Sequence, residues 1–70
     1  MAEDKRLICE LLADALKLTR AGSELDTIQY SKTADGIEIA AMHFMNGATI
    51  NVNVTADSGI SMIRDITRAF

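Results

Sequence analysis

The chain has 70 residues, of which 49% are hydrophobic and 24% charged, with no proline, four glycines and a formal net charge of −3. This balance excludes a disordered chain, which needs low hydrophobicity and high net charge. The acidic excess also argues against a general nucleic-acid binder, because phosphate contacts require basic side chains.

The length and the cysteine content indicate the expected setting of the protein. A chain of this size makes one domain and buries only about 60% of its unfolded surface, so association between copies commonly adds stability. Cys9 is the single cysteine and cannot form an intramolecular disulfide. The sequence has no signal-peptide pattern and no apolar run of about 18 residues. We therefore expect a cytoplasmic protein without a membrane-spanning segment.

Good helix formers, free of glycine and proline, predict a first helix over about residues 3–21. At roughly 100° per residue its apolar side chains cover an arc of roughly 180°. They are Leu7, Ile8, Leu11, Leu12, Ala15, Leu16 and Leu18, with Cys9 at the edge of the arc. Packing on one sheet needs only about 100°. This helix is therefore expected to touch a second surface as well, either the second helix or another subunit, and to end at Gly22.

Two glycine-containing dipeptides, Asp35-Gly36 and Asn46-Gly47, predict β-hairpins. They separate three strands over about residues 26–33, 37–45 and 48–55. Treating both dipeptides as two-residue turns pairs Tyr30 with Ala41 and Ala41 with Val52. Because cross-strand partners share a face, both turns then agree on one apolar face. That face is predicted to carry Ile28, Tyr30, Ile39, Ala41, His43, Ile50, Val52 and Val54.

The last segment predicts a second helix over about residues 58–69, with Thr55, Asp57 or Ser58 as its N-cap. The predicted fold class is α+β, a two-layer α-β-β-β-α domain. Its three-stranded antiparallel meander has the order 1-2-3, and both helices cover one face of the sheet.

No group of residues has the spacing of a catalytic, cofactor or metal site, so we predict neither an enzyme nor a cofactor-binding protein. His43 has no second histidine to share a metal and is expected to be a partly buried core residue. Cys9 is expected to pack as a small apolar side chain. Asp57-Ser58-Gly59 is expected to cap a helix rather than to bind an anion.

The face of the sheet away from the helices is predicted to be an interaction surface. Its centre would be an apolar stripe of Ala40, Met42 and Phe44 on the middle strand. The predicted neighbours of this stripe include Gln29, Asn51 and Asn53. Interface centres favour aromatic residues and methionine and contain few charges. We therefore expect an interaction module that forms a homodimer or binds an unidentified protein. An edge strand, since the third strand carries no charge, or the first helix are alternative contacts.

Arg64 and Arg68 lie four residues apart on the predicted exposed face of the second helix. They support an alternative, a nucleic-acid-binding accessory protein. A third alternative is a small ligand-binding protein with His43 or Cys9 in its pocket.

The order α-β-β-β-α resembles the double-stranded-RNA-binding domain. That family binds phosphates through a lysine-rich start of its second helix, whereas the matching stretch here, residues 57–62, has no lysine. The resemblance covers the topology and implies no RNA-contacting residues in this chain.

The closing stretch, residues 51–66, is similar to the C-terminus of small uncharacterised bacterial proteins of prophage or mobile-element type. Its Asp-Ser-Gly-Ile-x-Met-Ile-Arg-Asp run begins at Asp57. This resemblance implies a bacterial, phage-related origin and no particular activity.

Overall fold

The computed structural model describes residues 2–70. Its elements are α1 (Ala2–Leu16), β1 (Leu25–Lys32), β2 (Glu38–Phe44), β3 (Thr49–Asn53) and α2 (Gly59–Arg68). The strands form an antiparallel sheet in the order β1-β2-β3. One core joins Cys9 and Ala13 of α1 and Met62 and Ile66 of α2 to a single face of the sheet. The predicted α+β fold class is confirmed.

The first helix ends five residues before the predicted boundary at residue 21, at Leu16. Thr19 closes it, because its hydroxyl donates to the Leu16 carbonyl oxygen at 2.7 Å and accepts from the Gly22 N–H at 3.0 Å. A Cβ atom at Gly22 would collide with that same carbonyl oxygen. Gly22 is therefore needed for close packing over the helix end, not for a positive φ after it.

The second helix begins as its sequence predicts. Ser58 is the N-cap, and its side-chain oxygen accepts a hydrogen bond from the Ser61 N–H at 3.3 Å. This bond satisfies one of the N–H groups that have no partner in the first turn of a helix.

Both hairpin loops have three residues rather than the predicted two. Thr33 pairs with Ile37 across the first loop, and Phe44 pairs with Ala48 across the second. In each loop the last residue is a glycine with positive φ, 85° at Gly36 and 89° at Gly47. No described non-glycine residue has positive φ, which excludes type I′ turns. Each loop is instead a type I turn followed by a glycine bulge.

The longer loops shift β2 by one residue against both neighbouring strands. Tyr30 pairs with Ala40 and Ala40 with Val52, so the predicted pairing through Ala41 is wrong. A one-residue shift moves every side chain of a strand to the other face. Ile28 still lies level with Ile50, because both loops shift β2 in the same sense.

The predicted outer stripe of Ala40, Met42 and Phe44 therefore faces the helices. Ala40 and Met42 are both 0% exposed. Phe44 is half-buried, and its ring makes an edge contact with Phe70, with 6.0 Å between ring centroids. The prediction that this stripe is an exposed surface is wrong, and the shifted register is the reason.

The outer face of β2 carries the residues that were predicted for the core. Ile39, Ala41 and His43 are half-buried on that face. The predicted outer positions on the two neighbouring strands are confirmed as exposed. They include Gln29, Asn51 and Asn53. The outer face is thus polar and uncharged on both sides of β2.

An extra residue, Asp26, interrupts the pairing of β1 with β2 between Leu25 and Thr27. This β-bulge places Leu25 and Ile28 in the core although they are three residues apart.

Helix α1 is rotated from the orientation that its apolar arc predicts. Cys9, expected at the edge of the arc, is fully buried, and Ala13 is buried beside it. Leu7 and Leu11, which the sequence places inside the arc, are exposed, and Leu18 lies beyond the end of the helix. The small side chains of Cys9 and Ala13 let the helix lie close to the sheet, and the larger leucines then lie on the outside.

Candidate functional site

Both helices expose large apolar side chains on the side away from the sheet. The exposed fractions are 52% at Leu7, 60% at Leu11, 73% at Ile60 and 40% at Ile63. Leu7 and Leu11 lie one turn apart on α1, as Ile60 and Ile63 do on α2. We call these four residues the helical patch.

A shallow apolar groove of about 260 Å³ runs between the helices and connects the two halves of the helical patch. It is lined by Ile8, Leu11, Leu12, Ala15 and Ile63. The expectation that α1 touches a second surface is therefore met in part by α2. Leu7 and Leu11 of α1 nevertheless stay more than half exposed.

Charged side chains flank the helical patch with opposite signs on the two helices. Asp4 and Asp14 are exposed on the same side of α1 as Leu7 and Leu11, three residues before the first and three after the second. Arg64 is exposed on α2, one turn after Ile60. None of them is in an ion pair among the residues that the structure describes.

A buried ionic cluster fixes α1 on the sheet. The Nζ atom of Lys5, a residue only 7% exposed, donates to Glu38 Oε1 and to the Val54 carbonyl oxygen, each at 2.9 Å. The Tyr30 hydroxyl donates to Glu38 Oε2. Arg6 lies over the Tyr30 ring, with 5.4 Å between Cζ and the ring centroid. The cluster thus joins α1 to β1, to β2 and to Val54, the residue that follows β3.

These contacts determine the charge states within the ionic cluster. The hydrogen bonds from Tyr30 and then from Lys5 hold the pKa of Glu38 below its ordinary value. The same hydrogen bond to Glu38, followed by burial, raises the pKa of Tyr30. Glu38 therefore stays ionised and Tyr30 stays protonated at neutral pH, as a structural contact requires. Sequence reasoning missed this cluster because the predicted register placed Glu38 on the outer face.

A second groove, of about 530 Å³, lies along the open edge of the sheet between α1 and β1. Its lining includes Arg6, Glu10, Ala13, Asp14 and Lys17 of α1 and residues 26–30 of β1. We call it the edge groove. Neither His43 nor Cys9 lines it, so this cavity is not the small-ligand pocket expected around those two residues.

The two residues considered for chemistry lie apart from both grooves. Burial raises the pKa of the Cys9 thiol to about 11, which keeps it protonated at neutral pH. His43, predicted on the core face, lies instead on the outer face, where its Nδ1 is 3.2 Å from Thr49 Oγ1. The structure does not bring these two residues together on one face of the sheet.

Asp57 lies two residues before α2, and Asp65 lies in the second half of that helix. The neighbouring Asp65 carboxyl raises the pKa of Asp57, and burial raises it further. Within the described residues no three His, Cys, Asp or Glu side chains converge as metal ligands.

Arg64 and Arg68, the residues considered for nucleic acid, are both exposed on α2. Among residues 4–70 the single ion pair is the one between Lys5 and Glu38, so both arginines point to solvent. Neither helix of the described chain is long and apolar enough to cross a membrane.

The chain matches no protein-family model, no curated protein and no solved structure. The family resemblances of the sequence therefore stay predictions, and the surfaces of the molecule carry the functional inference.

Proposed function

We propose that this protein is a non-enzymatic interaction module that forms a homodimer through the helical patch. The observation that carries the proposal is the exposure of Leu7, Leu11, Ile60 and Ile63 on adjacent helices of one small domain. Contiguous exposed apolar surface of this kind marks interaction sites, whereas single exposed apolar residues do not.

The charges around the helical patch support a second copy as the partner. In a two-fold dimer the same surface of both subunits is buried, so α1 of one copy can lie on α2 of the other. Asp14 on α1 of one copy then approaches Arg64 on α2 of the other, and the reverse contact forms at the symmetric position. This arrangement pairs opposite charges at the rim around an apolar centre.

The helices suit self-association better than the outer face of the sheet does. Ala40, Met42 and Phe44 cannot form an outer interface, since they face the core. The outer sheet face that replaces them offers only half-buried apolar residues between polar neighbours. The helical patch exposes larger aliphatic side chains to a greater degree.

Light scattering coupled to size exclusion tests the proposal directly. We expect the wild-type chain to have the mass of a dimer and Leu11→Glu/Ile60→Glu to have the mass of a monomer. Met45→Glu is the matched control, because Met45 is 66% exposed but lies in the β2–β3 loop. Ala41→Glu places the same charge on the outer sheet face. A folded wild-type monomer at high protein concentration would refute the proposed dimer.

A charge exchange tests the symmetry of the dimer. Asp14→Arg and Arg64→Asp should each weaken association, because each brings like charges together at the rim. The double variant should recover part of the loss if the two residues face one another between copies. Independent effects of the two substitutions would contradict that orientation.

A further inference from the structure

The backbone of β1 has unused hydrogen-bonding groups along its open edge. Glu38 on β2 accepts from Val54, and Phe44 donates to Ala48, so the even-numbered residues of β2 bond toward β3. The odd-numbered residues of β2 therefore bond toward β1, where Gln29 and Thr27 are their partners. Ile28 and Tyr30 must then direct their N–H and C=O groups away from the sheet.

These outward groups open into the edge groove. The Tyr30 carbonyl oxygen has one contact, from an Arg6 guanidinium nitrogen at 3.5 Å, which is long for a hydrogen bond. Ile28 has no hydrogen-bond partner on this side within the described residues. Ala13 is the α1 residue with the smallest side chain in the lining, and a short side chain there leaves room beside β1. The volume of about 530 Å³ lies within the roughly 300–1,000 Å³ of binding sites.

The charges of α1 are ordered along the edge groove. Arg6 lies at the Tyr30 end, and the acidic Glu10 follows it one turn later, with Asp14 one further turn along. One helical turn advances about 5–6 Å, and two residues of an extended strand advance about 6.6 Å. A strand beside β1 therefore presents successive side chains of one face to Arg6 and then to the acidic pair.

We propose that the edge groove binds an extended segment of a partner protein, which adds to β1 as an antiparallel fourth strand. The segment carries an acidic residue opposite Tyr30, beside Arg6, and a basic residue two positions later opposite Ile28, beside Glu10 and Asp14. Main-chain pairing supplies the binding, and the two charges select the sequence and direction. This site lies on the flank of α1 away from α2 and needs no second copy, although Asp14 belongs both to its lining and to the rim of the proposed dimer.

The test uses the capped peptide acetyl-Thr-Glu-Val-Lys-Thr-amide in an NMR titration of the wild-type chain. We expect saturable shift changes at the lining residues of α1, such as Arg6, Glu10 and Ala13, and at β1, with Ile60 and Ile63 of the helical patch unaffected. The reversed peptide, acetyl-Thr-Lys-Val-Glu-Thr-amide, should bind at least about fivefold more weakly, because both charge contacts become repulsive.

N-methylation distinguishes strand addition from simple charge attraction. A methyl group on the amide of the peptide lysine removes an N–H that pairs with Ile28, and affinity should fall about tenfold. A methyl group on the valine amide is the matched control, because that N–H faces away from β1. Equal losses from both methylations would overturn the proposal.

Charge reversal at the end of the edge groove tests the role of Arg6. Arg6→Glu should weaken binding of the Glu-Val-Lys peptide and strengthen binding of a Lys-Val-Lys peptide. Arg20→Glu is the control with the same change of charge outside the edge groove. If Arg6→Glu impairs folding, the titrations of the wild-type chain still test the proposal.

Three results would overturn the proposal. They are the absence of saturable shifts with millimolar peptide, shifts centred on Ile60 and Ile63, and shifts of the β1 residues Ile28 and Tyr30 that depend on protein concentration without peptide. The last result would mean that a second copy occupies the edge groove.

Discussion

The two faces of β2 differ in burial although their side chains are similarly apolar. Ala40 and Met42 face the helices and are fully buried, while Ile39 and Ala41 face outward and are half-buried. Glu38, on the inner face, is held by Lys5. Apolar character therefore does not identify the inner face of this strand. The length of the hairpin loops identifies it, because loop length sets the register.

The largest expected effect comes from cutting back one side chain on the inner face. Met42→Ala should lower the free energy of unfolding by about 3 kcal/mol, because it leaves a cavity in a fully buried site. His43→Ala, the neighbouring change on the outer face, should alter it by no more than about 0.5 kcal/mol. Urea unfolding followed by circular dichroism measures both values. Similar losses would contradict the assigned faces.

The ionic contact on the inner face predicts a pH dependence of stability. The pKa of Glu38 is lowered in the folded state from an ordinary value of 4.5, so its contribution is present above pH 4.5 and is lost as the pH falls through the folded value. Asp57 contributes with the opposite sign, because its pKa is raised from an ordinary value of 3.8 in the folded state. The difference in unfolding free energy between the wild-type chain and Glu38→Gln isolates the contribution of Glu38.

That difference in unfolding free energy between wild type and Glu38→Gln should be largest at neutral pH and should shrink as the pH falls below 4.5. Thermal unfolding at several pH values gives the curve. A difference that stays constant with pH would mean that Glu38 does not meet Lys5 in its charged form.

Substitution of the two loop glycines tests whether each loop is a type I turn with a glycine bulge. A Cβ atom at Gly36 or Gly47 would touch nothing within 4 Å, so the penalty of substitution comes from the positive φ alone. Gly36→Ala and Gly47→Ala should each lower the free energy of unfolding by about 1 kcal/mol. A value near zero at either site would argue against a type I turn with a glycine bulge there.

Shortening one loop should have the smallest effect. Deleting Ala34 leaves Asp35-Gly36 as a two-residue turn between Thr33 and Ile37, which already pair with each other. We expect the same register and a change in stability of no more than about 0.5 kcal/mol. Cross-strand proton contacts in NMR spectra would show whether Tyr30 still pairs with Ala40.

The candidate surfaces were only partly predictable from the sequence. The exposed polar positions Gln29, Asn51 and Asn53 follow from alternation in the outer strands, which holds in the structure. The helical patch contains Leu7 and Leu11, which the helical periodicity of α1 assigns to a packed face. The edge groove depends on how α1 lies beside β1, and no local pattern encodes that placement.

Agreement between the two predicted turns does not test the register of β2 against its neighbours. An error in one loop alone would have put Ile28 and Ile50 on opposite faces and would have been visible in the sequence. The same error in both loops leaves these two residues level and moves β2 alone. Since β2 is apolar on both sides, the pattern of its residues did not expose the error.

The sequence by itself determined the order of the elements, the sites of both hairpins, the start of α2 and the inner faces of β1 and β3. These features depend on local signals, namely turn glycines, a serine cap and strict alternation of apolar and polar residues. Only the tertiary structure decided the inner face of β2 and the rotation of α1. Both elements are apolar on more than one side, so loop length, the small side chains of Cys9 and Ala13 and the buried contact of Lys5 with Glu38 select one arrangement.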